Sequence, residues 1–529
     1  MTACCDETMT PTPAHALRSY GPALILIILG AALLPLYRYQ INQDAITYIS
    51  IAQKYARAEW FDAVNGHAYP LISWIMAPVL LTGLDPLLTA KLVNLGIGVA
   101  TVFAMGAFCL QAGFSRRHTL LCQMSIIPGI LYFAYSIITP DLLLSAVLLV
   151  YHCCLITPSY NRSLRCGLAC GLVGGIAYLT KSYCLLFFLC HFPLVNCWYF
   201  FKNTGSDRKI IVANFISGMV IFLAICAGWS SVISMKYGKA TSSNQGSVIM
   251  SAISPHRWEG PDHLVEPPNK TAVSIWEDPH AAFTQRYWSP FLSRADFKYW
   301  LHVVIGNIRT TAWVFFIFSP VAFCLCLWSS GATLQRRLFS GPDKITAYIA
   351  VTCAIYAGGY CLLISEERYL WPLFFLFVPM SILSLSQLTG KHFFKNRLFA
   401  KFTFLILCFS FTVMPSLNIF KNINTGREHA EIGHKLSTII EPGSKIVFDT
   451  NWFESLFLTF HLQSQLYGTA DKIPTDKLAD ELQRCTIDYF ILWQKAPGDY
   501  PFMENAQEIN TNGLHEPRIF KLPGNSHRR

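Results

Sequence analysis

Charge is scarce in this chain. Of 529 residues, only 14% are Asp, Glu, Lys or Arg, while 53% are hydrophobic. Long apolar runs recur from Tyr20 to Leu417 and are nearly free of ionisable side chains. That excludes a soluble globular protein. It also argues against a transporter or lipid flippase, whose pathway needs ionisable groups at mid-membrane and whose fold is usually built from related halves. No internal repeat and no low-complexity tract is present. A basic stripe interleaved with aromatics is missing too. Lys and Arg fall in short links between apolar runs, so the formal charge of +10 reflects membrane topology, and no nucleic-acid partner is expected. The 18 cysteines avoid both long polar sections, and 424–529 holds only Cys485. Structural disulfides are therefore not expected. No spacing in an aqueous region resembles a metal motif, and most cysteines read as small apolar packing residues.

The apolar runs make about eleven spans of a polytopic all-α membrane protein. They are Tyr20–Tyr37, Leu87–Leu110, Leu120–Tyr135, Pro140–Ile156, Cys166–Thr180, Tyr183–Phe200, Ile210–Trp229, Leu301–Trp328, Ile345–Ile364, Tyr369–Leu388 and Phe402–Leu417. Tyr20–Tyr37 reads as a retained span, since no small-residue cleavage site follows it. Pro70–Leu81 is apolar but short, and reads as a re-entrant or interfacial helix. With residues 1–19 in the cytoplasm, every second link is cytoplasmic. Those links carry Arg116 and Arg117, Arg162 and Arg165, Lys202, Arg208 and Lys209, Arg336, Arg337 and Lys344, and Lys391, Lys395, Arg397 and Lys401. The positive-inside rule is met each time. The membrane domain is 20–423, and 38–86, 230–299 and the link Ser365–Arg368 share the exterior side with a C-terminal domain, 424–529. That domain reads as a small α/β unit. Its predicted helices are Glu428–Ile439, Trp452–His461 and Thr475–Gln483, and its strands are Lys445–Phe448, Thr486–Trp493 and Arg518–Leu522.

The exterior stretch Tyr39–Pro70 is the most informative. Asp44 lies just beyond the first span, where an acid faces both headgroups and water. Tyr48, Ile51, Ala52 and Tyr55 follow at helical spacing, which predicts an amphipathic helix over Ala45–Arg57 along the membrane surface. Asp44 is read as a catalytic acid or as a solvated helix-start residue. Asp141, at the exterior start of a span, has the same two readings. Together the two acids would hold a divalent ion or serve one acceptor. Arg368 offers paired donors to a phosphate, or snorkels to the headgroups. Lys181, at the exterior end of a span, is a second phosphate contact or an interface anchor. Within 230–299 lie His256, Arg257, Trp258, Glu259, Asp262, His263, Trp276, Glu277, Asp278, His280 and Arg286. Aromatic faces stack on sugars and charged groups bind hydroxyls, although an interfacial aromatic belt accounts for some of the same residues. The histidines are wrongly spaced for zinc.

The order of these features resembles the GT-C membrane glycosyltransferases, in particular the bacterial group related to protein O-mannosyltransferases and the lipid A aminoarabinose transferase. The residues that carry the resemblance are Asn42-Gln43-Asp44-Ala45 with Tyr48, then Gly66, Tyr69-Pro70-Leu71, Trp74 and Gly83, then Lys91 and Asn94, Asp141, and Arg368-Tyr369 with Pro372. Two departures stand out. Many relatives have an Asp-Glu pair where this chain has Asp44-Ala45, and a Lys-Pro pair where it has Tyr69-Pro70. The resemblance implies a GT-C fold with juxtamembrane helices and an enzyme of the bacterial inner membrane. It would move a sugar from a polyprenyl-phosphate donor to a glycolipid, polysaccharide or protein acceptor, with inversion. It implies Asp44 as the catalytic base or orienting group, and Arg368 and Lys181 as phosphate contacts. The substrate-binding set implied is completed by Asp141, Tyr48, His67, Tyr369, Trp276, Glu277 and Asp278. A divalent cation (Mg2+ or Mn2+) at Asp44 and Asp141 is a further expectation, and no organic cofactor is expected. A non-catalytic envelope assembly factor with the same fold is the alternative kept open by the missing acid.

Overall fold

The computed structural model describes residues 13–255, 262–280, 288–335, 343–389, 397–509 and 517–523. His256, Arg257, Trp258, Glu259, Arg286, Arg336, Arg337, Lys391 and Lys395, together with residues 1–12, lie outside the described residues. The chain opens with α1 (Pro13–Leu33), α2 (Gln43–Ala56), α3 (Trp60–Ala63) and α4 (Leu71–Leu80). The bundle continues through α5 (Pro86–Gln111), α6 (Arg116–Ser136), α7 (Asp141–Ile156), α8 (Leu164–Thr180), α9 (Tyr183–Lys202) and α10 (Ser206–Tyr237). After α11 (Gln245–Ala252) come α12 (Arg294–Phe318), α13 (Pro320–Gln335), α14 (Asp343–Cys361), α15 (Trp371–Thr389) and α16 (Arg397–Lys421). Among the described residues, eight helices are long and apolar enough to cross a membrane. At 10 residues, α4 rises only about 15 Å, too little for a crossing.

Three helical boundaries differ from expectation for local reasons. The run Leu301–Trp328 is two helices, because Ser319 is extended (φ −169°, ψ 109°) ahead of Pro320. Proline lacks an N–H and disfavours the helical conformation in the residue before it. The Ser319 hydroxyl accepts from Ala322 N at 3.0 Å and meets the Ser410 hydroxyl on α16, so the break is satisfied within the protein. Helix α10 runs on to Tyr237, where Gly238 closes it in the left-handed conformation at φ 63°. Ser293 caps α12 by accepting from Asp296 N at 3.1 Å, so the polar exterior section is shorter than 230–299.

The small residues of α8 serve the close contact expected of them. A Cβ at Gly171 would stand 2.2 Å from the Gly218 carbonyl oxygen of α10, and one at Gly167 would stand 2.4 Å from the Asn214 backbone. Asn214 then locks the pair: its Oδ1 accepts from Gly167 N at 3.1 Å and its Nδ2 donates to Tyr160 O at 2.5 Å. Backbone contact of this kind replaces the hydrophobic drive that helices lack among lipid tails.

The C-terminal unit holds α17 (Arg427–Leu436), α18 (Trp452–His461) and α19 (Thr475–Arg484) around a sheet ordered β2-β1-β3-β5-β4. β1 (Lys445–Phe448) lies parallel to β2 (Gln465–Thr469) and β3 (Tyr489–Leu492), while β5 (Arg518–Lys521) runs antiparallel to β3 and β4 (Gln507–Ile509). Strands β2 and β4 were not anticipated. Residues 264–274 run along the free edge of β2: Val265 N donates to Tyr467 O at 3.0 Å and Leu466 N to Val273 O at 2.7 Å. The same exterior segment is pinned to α2 by Lys54, whose Nζ lies 2.5 Å from Glu277 Oε1, with both side chains buried. α2 is therefore roofed over by this segment and α18, and its other side packs on α4. It does not lie open along the membrane surface as its amphipathic pattern predicts.

Replacing Gly171 by Leu should force α8 from α10 and destabilise the protein by about 1–3 kcal/mol, the usual cost of overpacking. Thermal melting in detergent reads this out. Gly228→Leu, on a face of α10 where a Cβ meets nothing within 4 Å, should leave the melting temperature unchanged or higher.

Candidate active site

Asp44 sits in the first turn of α2, where the helix N-terminus favours a carboxylate. It meets Arg368, which lies in the short turn Glu367–Leu370 leading into α15. The Arg368 guanidinium also donates through Nε to Glu366 Oε2 at 2.8 Å. Trp276 Nε1 donates to the second Asp44 oxygen at 3.3 Å. Burial pushes the Asp44 carboxyl up, but the Arg368 charge and its hydrogen bond, with help from Trp276, outweigh it and hold the group below the usual carboxylate range.

A second pair lies beside the first. Asp141, at the start of α7, accepts from Lys181 Nζ at 2.6 Å, and both side chains are buried. Lys181 follows the last residue of α8 and stands 3.8 Å over the Tyr369 ring. Arg368 stands 5.1 Å from the same ring, so one phenol carries two cations. Burial draws the Lys181 ammonium down from its ordinary value despite the attraction of Asp141. Tyr48, one helical turn beyond Asp44, lies in the field of both acids. Burial first, then Asp44 and Asp141, push its phenol well up, so it remains a neutral hydroxyl. Asp44, Tyr48, Asp141, Lys181, Arg368 and Tyr369 thus come together from four separate parts of the chain.

His67 borders the cluster. Asn65 Oδ1 accepts from His67 N at 2.7 Å and from Ala68 N at 2.8 Å, which fixes the turn. The His67 ring lies edge-on to Trp276 at 6.3 Å. Burial draws its imidazole down, so it is neutral near pH 7. The Glu277 carboxylate accepts from Lys54, from Ser50 Oγ at 2.6 Å and from Asn269 Nδ2 at 3.0 Å, an arrangement that holds the roof. Asp278 accepts from the Tyr237 hydroxyl. Lys91 and Asn94 are buried and donate to Tyr135 O at 3.3 Å and Ala134 O at 3.4 Å, capping the end of α6. Tyr69 donates to Ser242 O and bears on the fold. No group of three His, Cys, Asp or Glu side chains that could hold a metal gathers among the described residues, and Asp44 and Asp141 each face a cation. Asn244 and Tyr237 both bond to Gly66 beside His67, and the sequence alone does not single them out. Nothing in a run such as Thr241-Ser242-Ser243-Asn244 marks one residue above its neighbours.

The Asp44–Arg368 pair has a testable sign. With its carboxyl held low, Asp44 stabilises the fold above the unfolded value of about 4, and that contribution is lost only as the pH falls through the lower folded value. In Arg368→Gln, burial, the largest influence on Asp44, outweighs the remaining Trp276 hydrogen bond and raises the carboxyl, so stability should fall as the pH rises through that value. The variant should melt lower at pH 7 than at pH 5, and adding Asp44→Asn should abolish the difference. An unchanged pH slope in Arg368→Gln would refute the pairing.

No protein-family model matches the chain, and no curated protein matches it in sequence. Solved structures do. ArnT from Cupriavidus metallidurans, both bound to undecaprenyl phosphate and in the apo state, superposes with a TM-score of 0.56 at 14% identity, over 95% of this chain and 98% of that one. An oligosaccharyltransferase from Archaeoglobus fulgidus aligns more loosely, with a TM-score of 0.49 at 10% identity, over 90% of this chain and 69% of that one. At such identity the likeness to ArnT is one of fold: this chain shares that structure's polytopic, mostly helical architecture, with eight helices among the described residues long and apolar enough to cross a membrane and a small C-terminal sheet domain.

Proposed function

We propose that this protein transfers a sugar from a polyprenyl-phosphate-linked donor to an envelope acceptor (a glycolipid, a polysaccharide or a protein) at the outer face of the bacterial cytoplasmic membrane. The observation that carries the reading is the paired arrangement of Asp44–Arg368 and Asp141–Lys181 around Tyr369. Two cations held close together suit a phosphate, and a carboxylate beside them suits an acceptor hydroxyl. The ArnT structure with undecaprenyl phosphate bound supports the same donor class by analogy of fold. In this reading the eight long helices cross the membrane with α7, α8 and α14, making eleven crossings.

The donor phosphate engages Arg368 and Lys181. Lys181 supplies the ammonium that the Tyr69-Pro70 motif does not. The acceptor oxygen attacks the anomeric carbon from the face opposite the phosphate, the bond from that carbon to the phosphate oxygen breaks, and polyprenyl phosphate leaves with the electron pair. The acceptor proton passes to Asp44. As Arg368 turns its donors toward the phosphate, it withdraws the charge that holds the Asp44 carboxyl low, and burial then raises its basicity. A cation at Asp44 and Asp141 would have to displace Arg368 and Lys181, so these residues do not fit a divalent metal and no step is routed through one.

Purified protein in nanodiscs, given radiolabelled polyprenyl-phosphate sugars and an envelope extract, should move label to an acceptor and release polyprenyl phosphate. Asp44→Asn should lower kcat by about 10²–10⁴-fold, the range typical of losing a general base, in protein that still folds but melts lower for want of the Arg368 pair. Lys181→Ala should raise the donor KM. No release of polyprenyl phosphate across a broad donor panel would overturn the proposal and favour an assembly role.

A further inference from the structure

Two buried polar atoms around the Gly66-His67 turn, His67 Nδ1 and Asp278 Oδ1, have no hydrogen-bond partner among the described residues, and the Asn244 amide lies beside them against the Tyr237 hydroxyl. Asp278 Oδ2 accepts from the Tyr237 hydroxyl, and that hydroxyl also accepts from Gly66 N at 3.1 Å. Asn244 N donates to Gly66 O at 2.8 Å, and its Nδ2 lies 2.8 Å from where a Gly66 Cβ would stand. The His67 backbone is fixed by Asn65, and its ring lies in the field of both Asp44 and Asp278. A buried polar group left without a partner is costly, so two gathered at one turn suit a polar occupant. Trp276 adds an aromatic ring against His67 and ties the chamber to Asp44 through its indole N–H.

We propose that His67, Asp278 and Asn244, with Trp276, form the subsite for the donor's sugar ring, and that they select an uncharged sugar bound through its hydroxyls over a uronate. The inference rests on the proposed glycosyltransferase reading. Asp278 and a neutral imidazole accept from hydroxyls, and the Asn244 amide donates to one. None of the ion pairs among the described residues neutralises Asp278. The nearby Lys236 ammonium donates to Val64 O at 2.5 Å and Asp62 O at 3.3 Å, and Lys239 turns to His280 at 2.6 Å. A sugar carboxylate placed here would therefore meet an Asp278 carboxylate that none of these ion pairs neutralises, and like charges repel.

The test reads binding. In nanodiscs, radiolabelled polyprenyl phosphate is displaced by unlabelled polyprenyl phosphate, by its hexose derivative or by its hexuronate derivative. The hexose derivative should bind about tenfold or more tightly than the bare phosphate, a gain of one or two hydrogen bonds, and the hexuronate no more tightly than the bare phosphate. Asp278→Asn should remove the discrimination against the hexuronate. Asn244→Ser should cut the hexose advantage several-fold while bare phosphate binds as before. Equal binding of hexose and hexuronate derivatives to the wild-type protein would overturn the proposal without recourse to any variant. A sugar-dependent advantage with no transfer to any acceptor would sink the glycosyltransferase reading and leave this subsite standing. Transfer without that advantage would do the opposite.

Discussion

Everything at the candidate site depends on pairing charges that the fold removes from water. Asp44 and Arg368 are 324 positions apart in the chain, and Asp141 and Lys181 are 40 apart, yet each acid meets its own cation. A buried charge without a partner costs far more than any single contact at the site returns. The helix ends that carry these residues are thus held to one mutual arrangement. Tyr369 links the pairs, its ring lying between Lys181 and Arg368.

The C-terminal domain contributes without supplying a reacting group. Residues 264–274 extend the edge of its sheet, and the next few residues carry Trp276 to Asp44 and Asp278 to Tyr237. The buried Lys54–Glu277 pair fastens that segment to α2 between the two contacts. A displacement of the domain would thus be felt at the Asp44 carboxylate through a short, continuous backbone. Position by hydrogen-bonded edge is more exact than position by a free loop, and a glycosidic transfer needs its reacting atoms aligned closely.

The eight long apolar helices, the short helix before α5 and the core strands Lys445–Phe448 and Tyr489–Leu492 were legible because apolar length and β-branched runs are strong local signals. So was the candidate cluster of Asp44, Asp141, Lys181 and Arg368, since a charged residue at the end of an apolar run stands out against its surroundings. What escaped was set by partners distant in sequence. The covered state of α2 comes from an exterior segment more than two hundred positions away, as the separation of 223 between Lys54 and Glu277 records. Glu277 and Asp278 are neighbours of the same type. Only the fold assigns one to a structural pair and the other to a chamber wall. Strands β2 and β4 are short and polar at their edges, which leaves little alternation to read.

The depressed carboxyl of Asp44 constrains any mechanism that uses it. A base held low by a guanidinium is a poor proton acceptor at rest, and the same contact leaves Arg368 engaged before a donor arrives. Both difficulties have one remedy. If Arg368 exchanges its carboxylate partner for a phosphate, the cation is satisfied by the leaving group and burial outweighs the remaining Trp276 contact at Asp44, raising its basicity when an acceptor needs it. Glu366 keeps a hold on the guanidinium through Nε at 2.8 Å, so Arg368 can reorient its terminal nitrogens without losing every anionic contact. Donor binding and activation of the base would then be one electrostatic event, which protects the bound sugar from attack before the site is filled.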